Sequence, residues 1–249
     1  MTAQIQHAAG SLLVTGAGRG IGRGIALLAG KRGYRVAVNY GTSAEAAEDV
    51  VSLIREHGGE ACAIQADVAD KHAVAALFDE VEGTLGIVTA LVNNAGTLPT
   101  RQTFMDTAPE DIERLLMVNV AGPLNCIRQM VQRLRSRSDA KPIGIVNISS
   151  QAAVFGGSLI AGYAASKAAL NTLTVALAKE LGPEGIRVNA ISPGVISTNS
   201  RGPASQEFLQ QIPLGREGSP IDVAEAVLWL MSPQAGYING AIIPVSGGR

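Results

Sequence analysis

The sequence predicts an α/β fold, a doubly wound parallel sheet with helices on both faces. Three observations carry this reading. Short apolar runs recur along the chain, and each is followed by a stretch with helical periodicity. The alternation holds from Leu12 to the C-terminus with no internal repeat, linker or second domain. The polar motifs fall where the strands end, which is where ligands bind in open α/β sheets. With 249 residues, 47% of them hydrophobic and 16% charged, the chain can bury a large core as one domain spanning 1–249.

After a polar and mobile lead, Leu12-Leu13-Val14 forms a first strand that runs into Thr15-Gly-Ala-Gly-Arg-Gly-Ile-Gly22. Ile25, Leu27, Leu28 and Ala29 then repeat helically until Gly33. Such a strand, glycine turn and helix suit a pyrophosphate, because glycines admit close backbone approach and a helix start offers unpaired N–H groups. Gly16, Gly18, Gly20 and Gly22 miss the common G-x-G-x-x-G register, since residue 21 is isoleucine, so a plain tight turn competes with this reading. A second strand, Tyr34 to Val38, ends in Asn39-Tyr40-Gly41. Nicotinamide enzymes that exclude a 2′-phosphate carry an acidic residue here. With Asn39 in that place and Arg19 in the turn, NADP(H) is preferred over NAD(H).

Ser43 to His57 reads as a helix ended by Gly58-Gly59, and Ala61 to Ala66 as a third strand ending in Asp67-Val68. Asp67 would accept from an adenine amino group or cap a turn, and Asp70 caps a helix through Glu82. Ile87 to Val92 is the fourth strand, closing in Asn93-Asn94-Ala95-Gly96, small polar residues that suit a strand end against a cofactor. A helix over Pro109 to Arg135 carries Pro123, which cannot bond the Asn119 carbonyl four residues back. That free acceptor would hold a relay water, or mark a plain kink. The basic end, Arg128, Arg133, Arg135, Arg137 and Lys141, suits a helix C-terminus; an acidic carrier protein is the alternative.

Ile143 to Ile148 forms the fifth strand and delivers Ser149 and Ser150. The uncharged loop Gln151 to Gly162 leads to a helix opened by Tyr163 and broken at Gly182-Pro183. Tyr163 and Lys167 lie four apart, on one helix face. A phenol has a pKa of roughly 10, and one ammonium about 4 Å away supplies the roughly 4 kcal/mol that would bring it near neutrality. Ser150 would add a hydrogen bond to the same substrate oxygen. A Tyr-x-x-x-Lys taken alone is also an ordinary amphipathic turn. Strand six, Ile186 to Ile191, precedes Ser192-Pro-Gly-Val-Ile-Ser-Thr198, whose backbone near Val195 and Ile196 would hold a carboxamide, with Thr198 near phosphates. Asn199 to Gly215 reads as a flap, Asp222 to Met231 as a helix and Tyr237 to Val245 as the last strand.

Net charge is −1 and pI about 6.3, so no basic surface calls for nucleic acid. Neither a signal peptide nor a membrane span is read, and the chain is expected to be soluble and cytoplasmic. Cys62, Cys126, His7, His57 and His72 have no metal-ligand spacing, so no metal is expected.

Taken together, Thr15-Gly-x-x-x-Gly-x-Gly22, Asp67, Asn93-Asn-Ala-Gly96, Asn119, Ser150, Tyr163-x-x-x-Lys167 and Pro193-Gly194-x-x-x-Thr198 resemble the short-chain dehydrogenase/reductase family from about Leu12 to Gly248. The resemblance implies an extended Rossmann sheet of seven strands and NAD(P)-dependent interconversion of a ketone and a secondary alcohol. It makes Tyr163 the general acid/base, Lys167 the residue that lowers its pKa and binds the nicotinamide ribose, Ser150 the carbonyl-orienting group and Asn119 the holder of the relay water. Gly16, Arg19, Gly20, Ile21, Gly22, Asn39, Asp67, Val68, Asn94, Ala95, Gly96, Tyr163, Lys167, Pro193, Gly194, Ile196 and Thr198 would contact the cofactor. A homotetramer is implied. Val38-Asn-Tyr40 and the TGAGRGIGR turn are similar to the 3-oxoacyl-(acyl carrier protein) reductase branch, while Asn199-Ser-Arg-Gly-Pro203 and Arg137 to Gly144 depart from it. The expected pocket of Leu98, Val154, Phe155, Leu159 and Val195 suits an apolar ketone such as a 3-oxoacyl thioester. A sugar or polyol dehydrogenase and a non-catalytic nucleotide sensor or scaffold are the alternatives.

Overall fold

The computed structural model describes residues 10–98, 100–137, 142–198 and 206–249. The polar lead before Gly10, Lys141 and the first part of the expected flap, 199–205, lie outside them. Seven strands, β1 (Ser11–Val14), β2 (Arg35–Tyr40), β3 (Ala61–Gln65), β4 (Val88–Asn93), β5 (Gly144–Ile148), β6 (Val188–Pro193) and β7 (Ile242–Val245), form one sheet in the order β3-β2-β1-β4-β5-β6-β7. Every pairing is parallel. The order reverses between β1 and β4, which creates a crevice at their carboxyl ends.

Helices cover both faces: α1 (Gly20–Lys31), α2 (Ala44–Glu56), α3 (Lys71–Leu85), α4 (Pro109–Leu116), α5 (Gly122–Arg135), α6 (Ala152–Phe155), α7 (Ala161–Leu181), α8 (Gln206–Leu209) and α9 (Pro220–Leu230). Side chains alternate across a strand, so Leu12 and Val14 join the core under α1, α2 and α9, while Leu13 joins the core under α3, α5 and α7. Burial on both faces explains why the strands read as near-continuous apolar runs. Among the described residues no helix is long and apolar enough to cross a membrane.

Several boundaries differ from the sequence reading, among them β6, which lies two residues further on, and α7, which starts at Ala161 ahead of Tyr163. β2 runs two residues further, through Asn39 and Tyr40. β7 is shorter than expected, and Tyr237 is fully exposed ahead of it. The single helix expected from Pro109 to Arg135 is two, joined by a wide π turn over Met117–Ala121 in which the Gly122 N–H donates to the Met117 carbonyl. Local propensity does not distinguish a π turn from a kink, yet Pro123, without an N–H, sits directly after it.

A buried polar spine sets the register of α7 on the sheet. Asn93 Nδ2 donates to Asn147 Oδ1 at 2.9 Å, Asn147 Nδ2 donates to Thr174 Oγ1 at 2.9 Å, and Thr174 Oγ1 donates to the Leu170 carbonyl at 2.8 Å. In a low-dielectric interior such bonds are costly to break, so they pin one arrangement.

Candidate active site

The glycine turn lies at the head of the crevice, at the start of α1. Gly16 and Gly20 have φ of +61° and +57°, conformations that favour glycine. A Cβ at Gly16 would approach Ala95 Cα to 2.9 Å, and one at Gly20 would lie 3.5 Å from Thr198 Cγ2. The turn thus packs against Asn94-Ala95-Gly96 on one side and the Thr198 segment on the other. Thr15, not singled out as a site residue by the sequence, ties it down: its Oγ1 accepts from Asn94 N at 3.0 Å and Ala95 N at 2.9 Å. Asn94 Nδ2 donates to the carbonyls of Thr15 and Gly16. Ile21 packs against the core beside Gly22. A bare backbone cradle opening on a helix N-terminus fits a dinucleotide pyrophosphate.

Gly22 has no room for a side chain. A Cβ there would stand 2.4 Å from Asn94 Nδ2 and 2.7 Å from the Gly16 carbonyl oxygen. Gly22→Ala is therefore expected to lower stability by about 1–3 kcal/mol through overpacking, read as a fall in thermal midpoint. A midpoint equal to that of the parent would refute the packing argument.

Asn39 does not occupy the position expected of it. It is buried, on the same face of β2 as Ala37, and its amide is fully engaged. Oδ1 accepts from Gly16 N at 3.2 Å, and Nδ2 donates to the carbonyls of Ile64 and Ala66 at 3.3 and 3.1 Å. Asn39 therefore braces the glycine turn against β3. The half-buried Tyr40, followed by Gly41, is the residue that leaves the sheet there. Arg19 is exposed on the turn. Asp67 caps a turn, accepting from Ala69 N at 3.0 Å, and pairs with Arg114 at 2.7 Å. Val68 is buried against Gly122, and its carbonyl accepts from Asn125 Nδ2.

The second half of the crevice gathers the chemically active side chains. Lys167 is buried, and its Nζ donates to the Ile148 carbonyl at 2.7 Å. Asn119 is fully buried; Oδ1 accepts from Thr97 N at 2.8 Å, and Nδ2 donates to the Thr97 carbonyl and to Ser166 Oγ. Ser166 Oγ in turn donates to the Tyr163 carbonyl at 2.7 Å, so a serine inside the Tyr-x-x-x-Lys motif links Asn119 to the tyrosine's backbone. A Cβ at Gly96 would lie 3.3 Å from Asn119 Oδ1 and 3.5 Å from Lys167 Nζ, which places both heads around one glycine. Ser150 Oγ accepts from Ala152 N at 3.1 Å and faces the Tyr163 phenol closely enough to lower its pKa.

The electrostatics differ from the simple Tyr–Lys expectation. Burial raises the Tyr163 phenol above its usual pKa, and the Ser150 hydrogen bond only partly offsets this. Lys167 Nζ stands 5.8 Å from the Tyr163 ring centroid and is turned to Ile148, while burial pulls its own pKa down to about 8. Desolvation thus outweighs the pull of Ser150 on the phenol, a result that four-residue spacing cannot anticipate. The thiols are held protonated by burial, Cys62 at about 11 and Cys126 at about 12, which makes them poor nucleophiles.

On the remaining wall, Pro193 O accepts from Gln151 N at 3.0 Å, Gly194 packs on Ser246, and the buried Ile196 bridges to Gly218. Leu98, Val154, Phe155 and Leu159 expose large apolar surfaces around the opening, and Val195 is half-buried.

The model of the family described as enoyl-(acyl carrier protein) reductase matches residues 16–249. The chain belongs to the short-chain dehydrogenase/reductase family. It is 43% identical over 243 residues to the 3-oxoacyl-[acyl-carrier-protein] reductase FabG of Staphylococcus aureus, covering 96% of this chain and 97% of that one. To versicolorin reductase stcU of Emericella nidulans it is 38% identical over 252 residues, with 95% and 94% coverage. Among solved structures, a short-chain dehydrogenase/reductase from Serratia marcescens superimposes with a TM-score of 0.88 at 33% identity, covering 97% and 98%. As a member of the family, in its FabG-like branch, the protein is an NAD(P)-dependent oxidoreductase acting on CH–OH and C=O groups.

Proposed function

We propose that the protein is an NADP(H)-dependent carbonyl reductase of apolar ketones, with 3-oxoacyl thioesters the leading class, and that Asn119, Ser150, Tyr163 and Lys167 carry the reaction. The observation behind this is the convergence of Lys167 Nζ and Asn119 Oδ1 on Gly96, with Ser150 facing the Tyr163 phenol, at the crevice whose other half is the glycine cradle. When bound, the dihydronicotinamide supplies the hydride. The protein's part is to bind, orient and protonate. The Tyr163 phenol, kept protonated near neutral pH by burial, delivers its proton to the substrate oxygen. Ser150 donates to the same oxygen and fixes the carbonyl. Lys167 holds the ribose hydroxyls and passes a replacement proton to Tyr163. Pro123 has no N–H to offer the Asn119 main-chain carbonyl four residues back, so a water there completes the route to solvent.

The NADP(H) preference rests on the end of β2. The strand ends in Tyr40 and the chain continues as Gly41-Thr42 without a carboxylate, and Arg19 of the glycine turn is exposed. Tyr40→Asp should weaken NADPH binding about tenfold or more by repulsion at the 2′-phosphate and improve NADH binding. Fluorescence titration of both cofactors checks this; an unchanged NADPH/NADH ratio would remove Tyr40 from cofactor selection. An apolar substrate is supported by the exposed Leu98, Val154, Phe155 and Leu159. The basic end of α5 gives no support to carrier-protein docking, because Arg133, Arg135 and Arg137 are spent on Asp79, Glu184 and Glu82. Two exposed apolar surfaces, Leu116 with Met117 and Ile221 with Trp229 and Tyr237, support a homotetramer.

A further inference from the structure

Leu159 has φ of +62°, and among the described residues it is the one non-glycine residue with a positive φ. That conformation is unfavourable for a side chain with a Cβ and persists only where the surroundings impose it. Here the imposing contact is a hydrogen bond from Gln102 N to the Leu159 carbonyl at 3.2 Å, which ties the loop before α7 to the loop after β4. Between the two loops and α4 lies a cavity of about 300 Å³. Phe104, Ile112, Leu115, Leu159 and Ile160 supply its apolar surface, and Asp111 is the one charged side chain among the described lining residues. The remaining lining is neutral hydroxyl, amide and backbone groups.

The cavity lies beside the segment that leads into Tyr163. Ala161 and Gly162 line it, and Tyr163 follows. A Cβ on Gly162 would lie 3.9 Å from Ile112 Cγ1, so Ile112 stands one residue from the tyrosine. Neither Tyr163 nor Ser150 lines the cavity, so it is a place for the part of a substrate remote from the carbonyl. We infer that this cavity is the subsite for the unbranched apolar chain of the substrate, with Leu159 strained so that its side chain closes the wall next to Tyr163. Asp111 repels a terminal carboxylate, so the chain it takes does not end in an anion. At roughly 30 Å³ for each water-sized atom the space holds about ten non-hydrogen atoms.

This rests on the carbonyl-reductase reading, and the test separates the two. With NADPH and 3-oxoacyl N-acetylcysteamine thioesters of increasing length, KM should fall about fourfold per methylene, the equivalent of ~0.8 kcal/mol, until the cavity is full. Ile112→Trp fills the cavity and should raise KM for the ten-carbon substrate tenfold or more while leaving KM and kcat for the four-carbon one within twofold. Phe104→Ala, at an exposed position, should flatten the chain-length dependence without threatening the fold. A folded Ile112→Trp protein with unchanged chain-length dependence, or a Phe104→Ala protein with the same, would overturn the subsite. Should no 3-oxo compound turn over, the carbonyl-reductase reading falls. Calorimetry with the saturated ten-carbon acyl thioester then decides the cavity: binding weakened tenfold by Ile112→Trp upholds it, and equal binding sinks it.

Discussion

Tyr163→Phe is expected to lower kcat for ketone reduction by about a hundredfold or more while NADPH binding stays within about threefold. The substitution removes one oxygen from a buried ring, so packing survives and only proton transfer is lost; a positioned acid/base group contributes about 10²–10⁴ in rate. The Ser166 bond to the residue's backbone carbonyl is untouched, so the link to Asn119 persists. Steady-state kinetics beside cofactor titration gives the answer. A variant with more than a tenth of the parental kcat would exclude Tyr163 as the proton donor.

Replacing Lys167 by methionine should separate stability from activity. Burial pulls the ammonium from 10.5 to about 8, so in the folded protein the charged form is disfavoured. Between about pH 8 and 10.5 the unfolded chain therefore binds more protons than the native one, and stability rises with pH across that window. Below it the buried charge costs about 3 kcal/mol, at 1.36 kcal/mol for each tenfold change in proton affinity. Methionine removes this cost and leaves the Ile148 carbonyl without its donor, a loss of about 1–3 kcal/mol. Lys167→Met should then be no less stable than the parent at pH 7, with a flatter rise in stability between pH 8 and 10, and should lose about a hundredfold or more in kcat/KM. Urea unfolding at pH 7 and 9.5 measures the first and initial rates the second. An equally steep pH dependence in the variant would show that Lys167 is not the titrating group, and retained activity would remove it from the proposed mechanism.

Most of the fold was legible in the chain because its signals are local. Continuous apolar runs such as Ile87 to Val92, the helical spacing of Ile25, Leu28 and Ala29, and the glycines after Val14 each act within a few residues of themselves. Tyr163 and Lys167 were legible as a pair because helix geometry alone puts them on one face. Ser166 went unnoticed inside that motif, since nothing local shows that its hydroxyl meets the Asn119 amide. Thr15 was quoted as part of the turn, yet its bonds to Asn94 and Ala95 need β1 and β4 to lie side by side.

The sequence by itself determined the order of strands and helices, the glycine turn and the identities of the residues at the strand ends. Tertiary structure alone decided which way those residues face and what surrounds them. Asn39 turned inward because its amide meets Gly16 and the β3 carbonyls, leaving Tyr40 at the strand's end. Arg133, Arg135 and Arg137 at the end of α5 are paired with carboxylates on α3 and after α7. The pKa of Tyr163 rose because burial, a property of the whole packed domain, outweighs the lowering effect of Ser150. The cavity beside Leu159 exists because two loops distant in sequence are joined by one backbone hydrogen bond. Periodicity and propensity are short-range, whereas side-chain direction, ion pairing and desolvation depend on partners that only folding brings within reach.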